Sequence, residues 1–207
     1  MSKIVIGIDQ SYNRTGITVL HNKEIFLMKS INYEVCKNNS EKRTTLHNVL
    51  YEIMEQINQG GLRGEITVIT ERIRLRSQQF ISEAYIKATG ALVATIIDFF
   101  EYYNEIPVYS VDTRSWKSQV VGNSKPLDNP HGINPEKYRT ILYLRNKGLL
   151  KYIAEEYRGR GKKGVINVKI KGKSTPCKIN DDLADSYCIA MYGFLPKDKQ
   201  KLQEEKF

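Results

Sequence analysis

The sequence is poor in the residues that cross-link small folds or build zinc sites. It holds three cysteines, Cys36, Cys177 and Cys188, an odd number with no Cys-x-x-Cys pair. That argues against a disulfide framework and against a structural zinc site. Its three histidines, His21, His47 and His131, are scattered without metal-ligand spacing. A metal, if one binds, must be held by carboxylates. No apolar run approaches the ~20 residues that cross a bilayer. The opening run from Met1 to Ile6 reads as a strand, without the pattern of a signal peptide. The expectation is a soluble cytoplasmic protein with no membrane association.

What is abundant is positive charge. Lysine and arginine total 32 against 23 acids, and 207 residues suffice for one well-buried domain with a sizeable insertion. The excess is concentrated between Arg158 and Asn180, which holds eight basic residues and no acid. Such a block suits a phosphate backbone, because each neutralised phosphate releases counterions. Glycines at 159, 161, 164 and 172 accompany it. Lys162, Lys163, Lys169 and Lys171 are therefore expected to hold nucleic-acid phosphates from a basic insertion spanning about residues 124–178. The bland alternative is a solvated loop that aids solubility.

Hydrophobic periodicity orders the rest. Lys3–Ile8 is almost continuously apolar, as in a strand buried on both faces. Gly16–Leu20 and Glu24–Met28 read as a hairpin. Ser40 stands as the N-cap of a helix carrying Leu46, Val49, Leu50, Ile53 and Ile57, which Gly60-Gly61 ends. A strand over Glu65–Thr70, a long helix from Gln78 to about Tyr103, and a strand over Pro107–Val111 follow. Trp116–Gly122 reads as a short helical or turn segment, and Glu136 to about Tyr157 as one helix. Val165–Lys173 could form a hairpin arm. A last helix runs from Asn180 to Phe194, and Lys197–Phe207 is expected to fray. Three strands, helix, strand, helix, strand is the order of an α/β domain of ribonuclease H-like type, whose mixed sheet joins an antiparallel meander to parallel strands flanked by helices.

Carboxylates stand at telling positions in that order. Asp9 ends the first strand and Glu71 the fourth. Sites in open α/β sheets lie beyond the carboxyl ends of strands, so the two can converge. Asp182 and Asp185 are spaced i, i+3 on one face of the last helix. Crowded carboxylates raise one another's pKa, and hard divalent cations relieve the repulsion. Two ions about 4 Å apart can activate water and stabilise the leaving oxygen of a phosphodiester. Each acid has a plainer role available: Asp9 could simply end a strand, Glu71 could pair with Arg72 or Arg74, Asp181 and Asp182 could serve only the macrodipole, and Asp185 could cap or pair with a lysine.

These residues resemble a known family. Gly7-Ile8-Asp9 with Thr15-Gly16 reproduces the G-I-D-x₅-T-G opening of the RuvC-type Holliday junction resolvases. Thr70-Glu71 with Thr89-Gly90-Ala91 is similar to their second acidic region, and Arg43 fits the start of the first helix. Trp116–Gly122 resembles their V-K-x-x-V-x-G stretch, and Asp182–Asp185 their terminal D-x-x-D. The resemblance covers about residues 3–122 and 178–194. It departs at Gln10-Ser11, where cellular members have Pro-Gly, and at Arg74, where an aromatic wedge is usual. Those departures resemble the phage or prophage branch.

The resemblance implies a homodimer that cleaves four-way and other branched DNA, leaving a 5′-phosphate and a 3′-hydroxyl. It implies Asp9, Glu71, Asp182 and Asp185 as catalytic ligands of two magnesium ions per site, with manganese able to substitute. Lys117 is the best candidate for a basic residue beside the scissile phosphate, and Arg72, Arg74 and Arg76 are expected to line the DNA path. Two other readings stand beside this one. An actin- or hexokinase-like ATPase also opens with a strand, an Asp and a hairpin, but normally with glycine directly after the Asp. A DNA-binding module without catalysis would not need all four acids.

Overall fold

The computed structural model describes residues 2–72, 83–102, 104–122, 135–156, 167–168 and 177–205. Its centre is a six-stranded sheet built from β1 (Lys3–Gln10), β2 (Arg14–His21), β3 (Glu24–Asn32), β4 (Glu65–Glu71), β5 (Val108–Val111) and β9 (Gln203–Glu204), in the order β3-β2-β1-β4-β5-β9. β1, β2 and β3 form an antiparallel meander, whereas β4 joins β1 in parallel and β5 joins β4 in parallel. This is the mixed sheet expected of a ribonuclease H-like fold. A separate three-stranded antiparallel sheet joins β6 (Ala154–Glu156), β8 (Cys177–Ile179) and β7 (Asn167–Val168), in that order.

Strand alternation decides what each face of the sheet buries. Ile4, Ile6 and Ile8 of β1 face a core completed by α1 (Asn39–Gln59) and α2 (Glu83–Ile97), through Leu46, Leu50, Ile53, Leu92 and Ile96. Val5 of β1 and Ile69 of β4 face the other core, made with Trp116, Leu183, Tyr187 and Ile189. That second face carries α6 (Asp181–Tyr192), together with α3 (Thr113–Trp116), α4 (Pro135–Asn146) and α5 (Leu150–Ile153). β1 is buried on both faces because helices cover both, which is why its sequence hardly alternates.

Three expectations need correction. The first helix is capped by Asn38, not Ser40: the Asn38 side chain accepts the Glu41 N–H at 2.9 Å, and the Glu41 carboxylate accepts the Lys37 N–H at 2.8 Å. The pairing is a capping box displaced by one residue, and it satisfies two otherwise free amide groups. The helix expected over residues 136–157 is broken at Gly148, whose φ of +70° is readily adopted only without a Cβ. Beyond that break, α5 is a single turn and Ala154–Glu156 pairs as a strand. Finally, the C-terminal tail is not frayed throughout. Gln203–Glu204 covers the edge of β5, and Gln200 anchors the approach by donating to the carbonyls of Gly193 at 3.1 Å and Leu195 at 2.6 Å. The expected arm over Val165–Lys173 falls mostly outside the described residues, as does the expected start of the second long helix.

Candidate functional site

The last backbone pair between β1 and β4 is Ile8 with Thr70. The next residue on each strand is therefore an acid, Asp9 beside Glu71, at the carboxyl end of the parallel pair. Alternation turns Asp9, like Val5 and Gly7, toward the face that receives α6.

α6 reaches this point because two glycines let it lie on the sheet. A Cβ at Gly16, the partner of Asp9 across β1 and β2, would stand 2.2 Å from the Asp182 carbonyl oxygen and 2.4 Å from its carbon. A Cβ at Gly7 would stand 2.3 Å from the Ser186 carbonyl oxygen. The glycine of the Thr15-Gly16 pair thus has a steric role: it admits the backbone of Asp182. A buried hydrogen bond between the hydroxyls of Thr18 and Ser186, 2.8 Å long, ties the helix to β2. Asn180 caps the helix by accepting the Leu183 N–H at 3.1 Å. Asp181 and Asp182 then occupy the first turn, where the helix dipole favours negative charge.

The result is a crowd of acids at one end of the sheet. Burial pushes the Asp9 carboxyl well above the ordinary carboxylate range, and the charges of Asp185, Glu71 and Asp182 push it further, as does a hydrogen bond with Glu71. Asp185 is pushed up to about 7: burial dominates, Glu71 and Asp181 add to it, and Lys117 and a hydrogen bond from Thr140 oppose it. The Lys117 ammonium lies 4.0 Å from the Asp185 carboxylate, with both side chains mostly buried. The Thr113 hydroxyl donates to Glu71. On the outer side Lys137 pairs with Asp181. Burial works against the Lys137 charge, but Asp181, with Asp185 and Asp182 behind it, raises its pKa.

The structure therefore brings Asp9, Glu71, Asp182 and Asp185 into one electrostatic cluster and sets Lys117 against it. Arg72 goes elsewhere. Its N–H donates to the Val111 carbonyl at 2.8 Å and its Nε to the Ser110 hydroxyl at 3.3 Å, in a cleft shared with Thr70, Val93 and Glu205. Arg74, Arg76, Lys162, Lys163, Lys169 and Lys171 lie outside the described residues. Lys137, Thr113 and Thr140 were missed from sequence. Thr113 carried a signal, since it follows a strand beside β4, but nothing local marks the other two.

The chemistry of the donor set suits a hard divalent cation: four carboxylates, two with raised pKa, and no soft ligand among them. Among the described residues, no group of three or more His, Cys, Asp or Glu side chains stands in a ligating arrangement. Glu71 is instead engaged by Thr113, Asp185 by Thr140 and Lys117, and Asp181 by Lys137. This arrangement carries a pH signature. A carboxyl whose pKa is raised on folding binds its proton more tightly when folded, so stability is lost as pH rises from its unfolded value near 4 through about 7. In chelator, Asp185→Asn is therefore expected to melt above the parent chain at about pH 8, by roughly 5 °C, with the gap closing toward about pH 4. Calorimetry across that range checks it, and a gap that widens on acidification contradicts it.

No protein-family model and no curated protein sequence matches this chain. Solved structures do. Thermus thermophilus RuvC in complex with a Holliday junction substrate superposes with a TM-score of 0.55, over 91% of this chain and 90% of that one, at 14% identity. Thermus thermophilus RuvC alone gives 0.50, over 91% of each chain, at 16% identity. The fold is RuvC-like. At such identities the likeness rests on architecture, and the RuvC-like sheet accounts for how strand ends about sixty residues apart meet a helix more than a hundred residues later. Among the described residues no helix is long and apolar enough to cross a membrane.

Proposed function

We propose that this chain is a magnesium-dependent endonuclease that cleaves four-way junctions and other branched DNA. The observation that carries the reading is Asp9: a carboxyl at the carboxyl end of a parallel strand pair, pressed by burial and by Asp185, Glu71 and Asp182. Structural likeness to a RuvC bound to a Holliday junction supports the choice of substrate.

Two magnesium ions, with manganese able to substitute, would supply activation of water and stabilisation of the leaving oxygen. Asp9, Glu71, Asp182 and Asp185 would hold them. Lys117, which faces Asp185, and Lys137, which pairs with Asp181, would serve as cations for phosphate oxygens. Thr113 fixes one Glu71 oxygen by donating its hydroxyl to it. A homodimer would present two such sites on opposing strands, since a two-fold interface repeats each site once. The phage or prophage branch is the origin that Gln10-Ser11 and Arg74 favour. Arg72, Arg74, Arg76 and the lysines at 162, 163, 169 and 171 would serve the DNA path.

The deciding assay incubates the full chain with labelled four-way, three-way, flap and linear DNAs. Magnesium or manganese should support paired incisions in branched DNA, whereas calcium should permit binding with little turnover, because its flexible shell holds the reacting groups less tightly. Full cleavage in excess chelator, or equal cleavage of linear duplex, contradicts the proposal.

A further inference from the structure

Gln10 stands where the chain departs from the family's usual Pro-Gly, and the structure gives it a contact that proline cannot make. It is the last residue of β1. Alternation puts its side chain on the face of Ile4, Ile6 and Ile8, opposite Asp9. That side chain is 8% exposed, and its amide nitrogen donates to the main-chain carbonyl of Glu71. Backbone pairing between β1 and β4 has already ended at Ile8 and Thr70. Gln10 therefore carries the pairing onward at the point where the two strands deliver their acids.

A further detail argues against simple space filling. The Gln10 carbonyl oxygen is buried without a partner among the described residues. Burying an unmatched polar atom is unfavourable, and methionine would fill similar space without one. What the amide adds is the link to Glu71. Its place is that of an outer group orienting a ligand, since it touches the Glu71 backbone and no reacting atom.

We propose that Gln10 is a positioning residue whose amide straps the Glu71 carbonyl to the end of β1, setting the separation of the Asp9 and Glu71 carboxylates that would hold a divalent cation. The inference rests on the metal-dependent nuclease reading. It predicts that Gln10 affects cation affinity more than the cleavage rate once cation is saturating.

The test uses the full chain and manganese, read by titration calorimetry and by the paramagnetic resonance of bound ion, without DNA. Gln10→Met keeps the volume and loses the donor, and Gln10→Leu keeps most of the bulk and loses the donor. Each is expected to weaken manganese binding by roughly 10–100-fold, the range typical of outer-shell partners. The manganese needed for half-maximal cleavage should rise by a similar factor, and the saturated rate should fall less. Wild-type affinity in folded Gln10→Met or Gln10→Leu protein overturns the inference and leaves the nuclease reading standing. Manganese binding that survives Asp9→Asn unchanged overturns the reading itself, and the inference with it.

Discussion

Asp9→Asn is expected to abolish cleavage of branched DNA, with a loss well beyond the roughly 10–100-fold that removal of an outer-shell partner costs a metal site. The same substitution should stabilise the metal-free protein near neutral pH. The reason is common to both effects. Asp9 is pressed first by burial and then by Asp185, Glu71 and Asp182, so its charge is a burden on the fold unless a cation shares it. Asparagine removes the charge, relieves the crowd, and takes away a carboxylate that would hold the ions. Junction binding, measured by mobility shift in calcium, should be largely retained. A melting temperature that rises in chelator while cleavage disappears is a signature that a merely structural aspartate does not give. Glu71→Gln, Asp182→Asn and Asp185→Asn should likewise lose cleavage. Cleavage retained in the Asp9→Asn protein would sink the assignment of this cluster as the catalytic centre.

Gly16→Ala should be nearly as damaging without touching a carboxylate. The added methyl would lie 2.2 Å from the Asp182 carbonyl oxygen and 2.9 Å from the Leu183 nitrogen, both backbone atoms of the first turn of α6. Neither can yield by a side-chain rotation, so the start of α6 must lift from β2 and carry Asp182 and Asp185 with it. A misplacement of about 1 Å in a reacting group can cost on the order of a hundredfold in rate. We expect a loss of that size, together with a lower melting temperature and weaker manganese binding. Gly90→Ala provides the contrast. Gly90 sits in α2, and nothing lies within 4 Å of its would-be Cβ. Alanine there should leave the melting temperature unchanged or raise it, since glycine costs a helix interior roughly 0.5–1 kcal/mol relative to alanine. If Gly16→Ala kept full activity, the close approach of α6 to β2 would not be what places the two aspartates.

The two substitutions also mark the boundary of what could be read without coordinates. Thr15-Gly16 and Thr89-Gly90 are the same dipeptide, and both fall in stretches that resemble a resolvase. Only packing distinguishes a glycine crossed by another element's backbone from one whose Cβ position is open. The capping box beginning at Asn38 was in principle legible, because Asn38 and Glu41 have the required spacing. Ser40 was the weaker candidate, and preferring it moved the helix start. Gly148 likewise announced a break, but helical periodicity on either side of it outweighed that sign.

By itself the sequence determined the sheet that carries the site. The two-residue repeat of a strand sets Asp9 on the same side of β1 as Val5 and Gly7, and the apolar runs ending in acids set Asp9 and Glu71 near strand ends. The i, i+3 spacing fixes Asp182 and Asp185 on one helix face. These are local properties, governed by backbone geometry within a few residues. Only the tertiary structure decided that Lys137 and Thr140 of α4 meet Asp181 and Asp185 of α6. It alone decided that Gln10 reaches Glu71, that Arg72 turns to Ser110, and that the C-terminal tail closes the edge of β5. Each of those contacts joins residues far apart in the chain through the packing of whole elements. Their formation depends on the relative placement of helices and strands, which no window of sequence encodes.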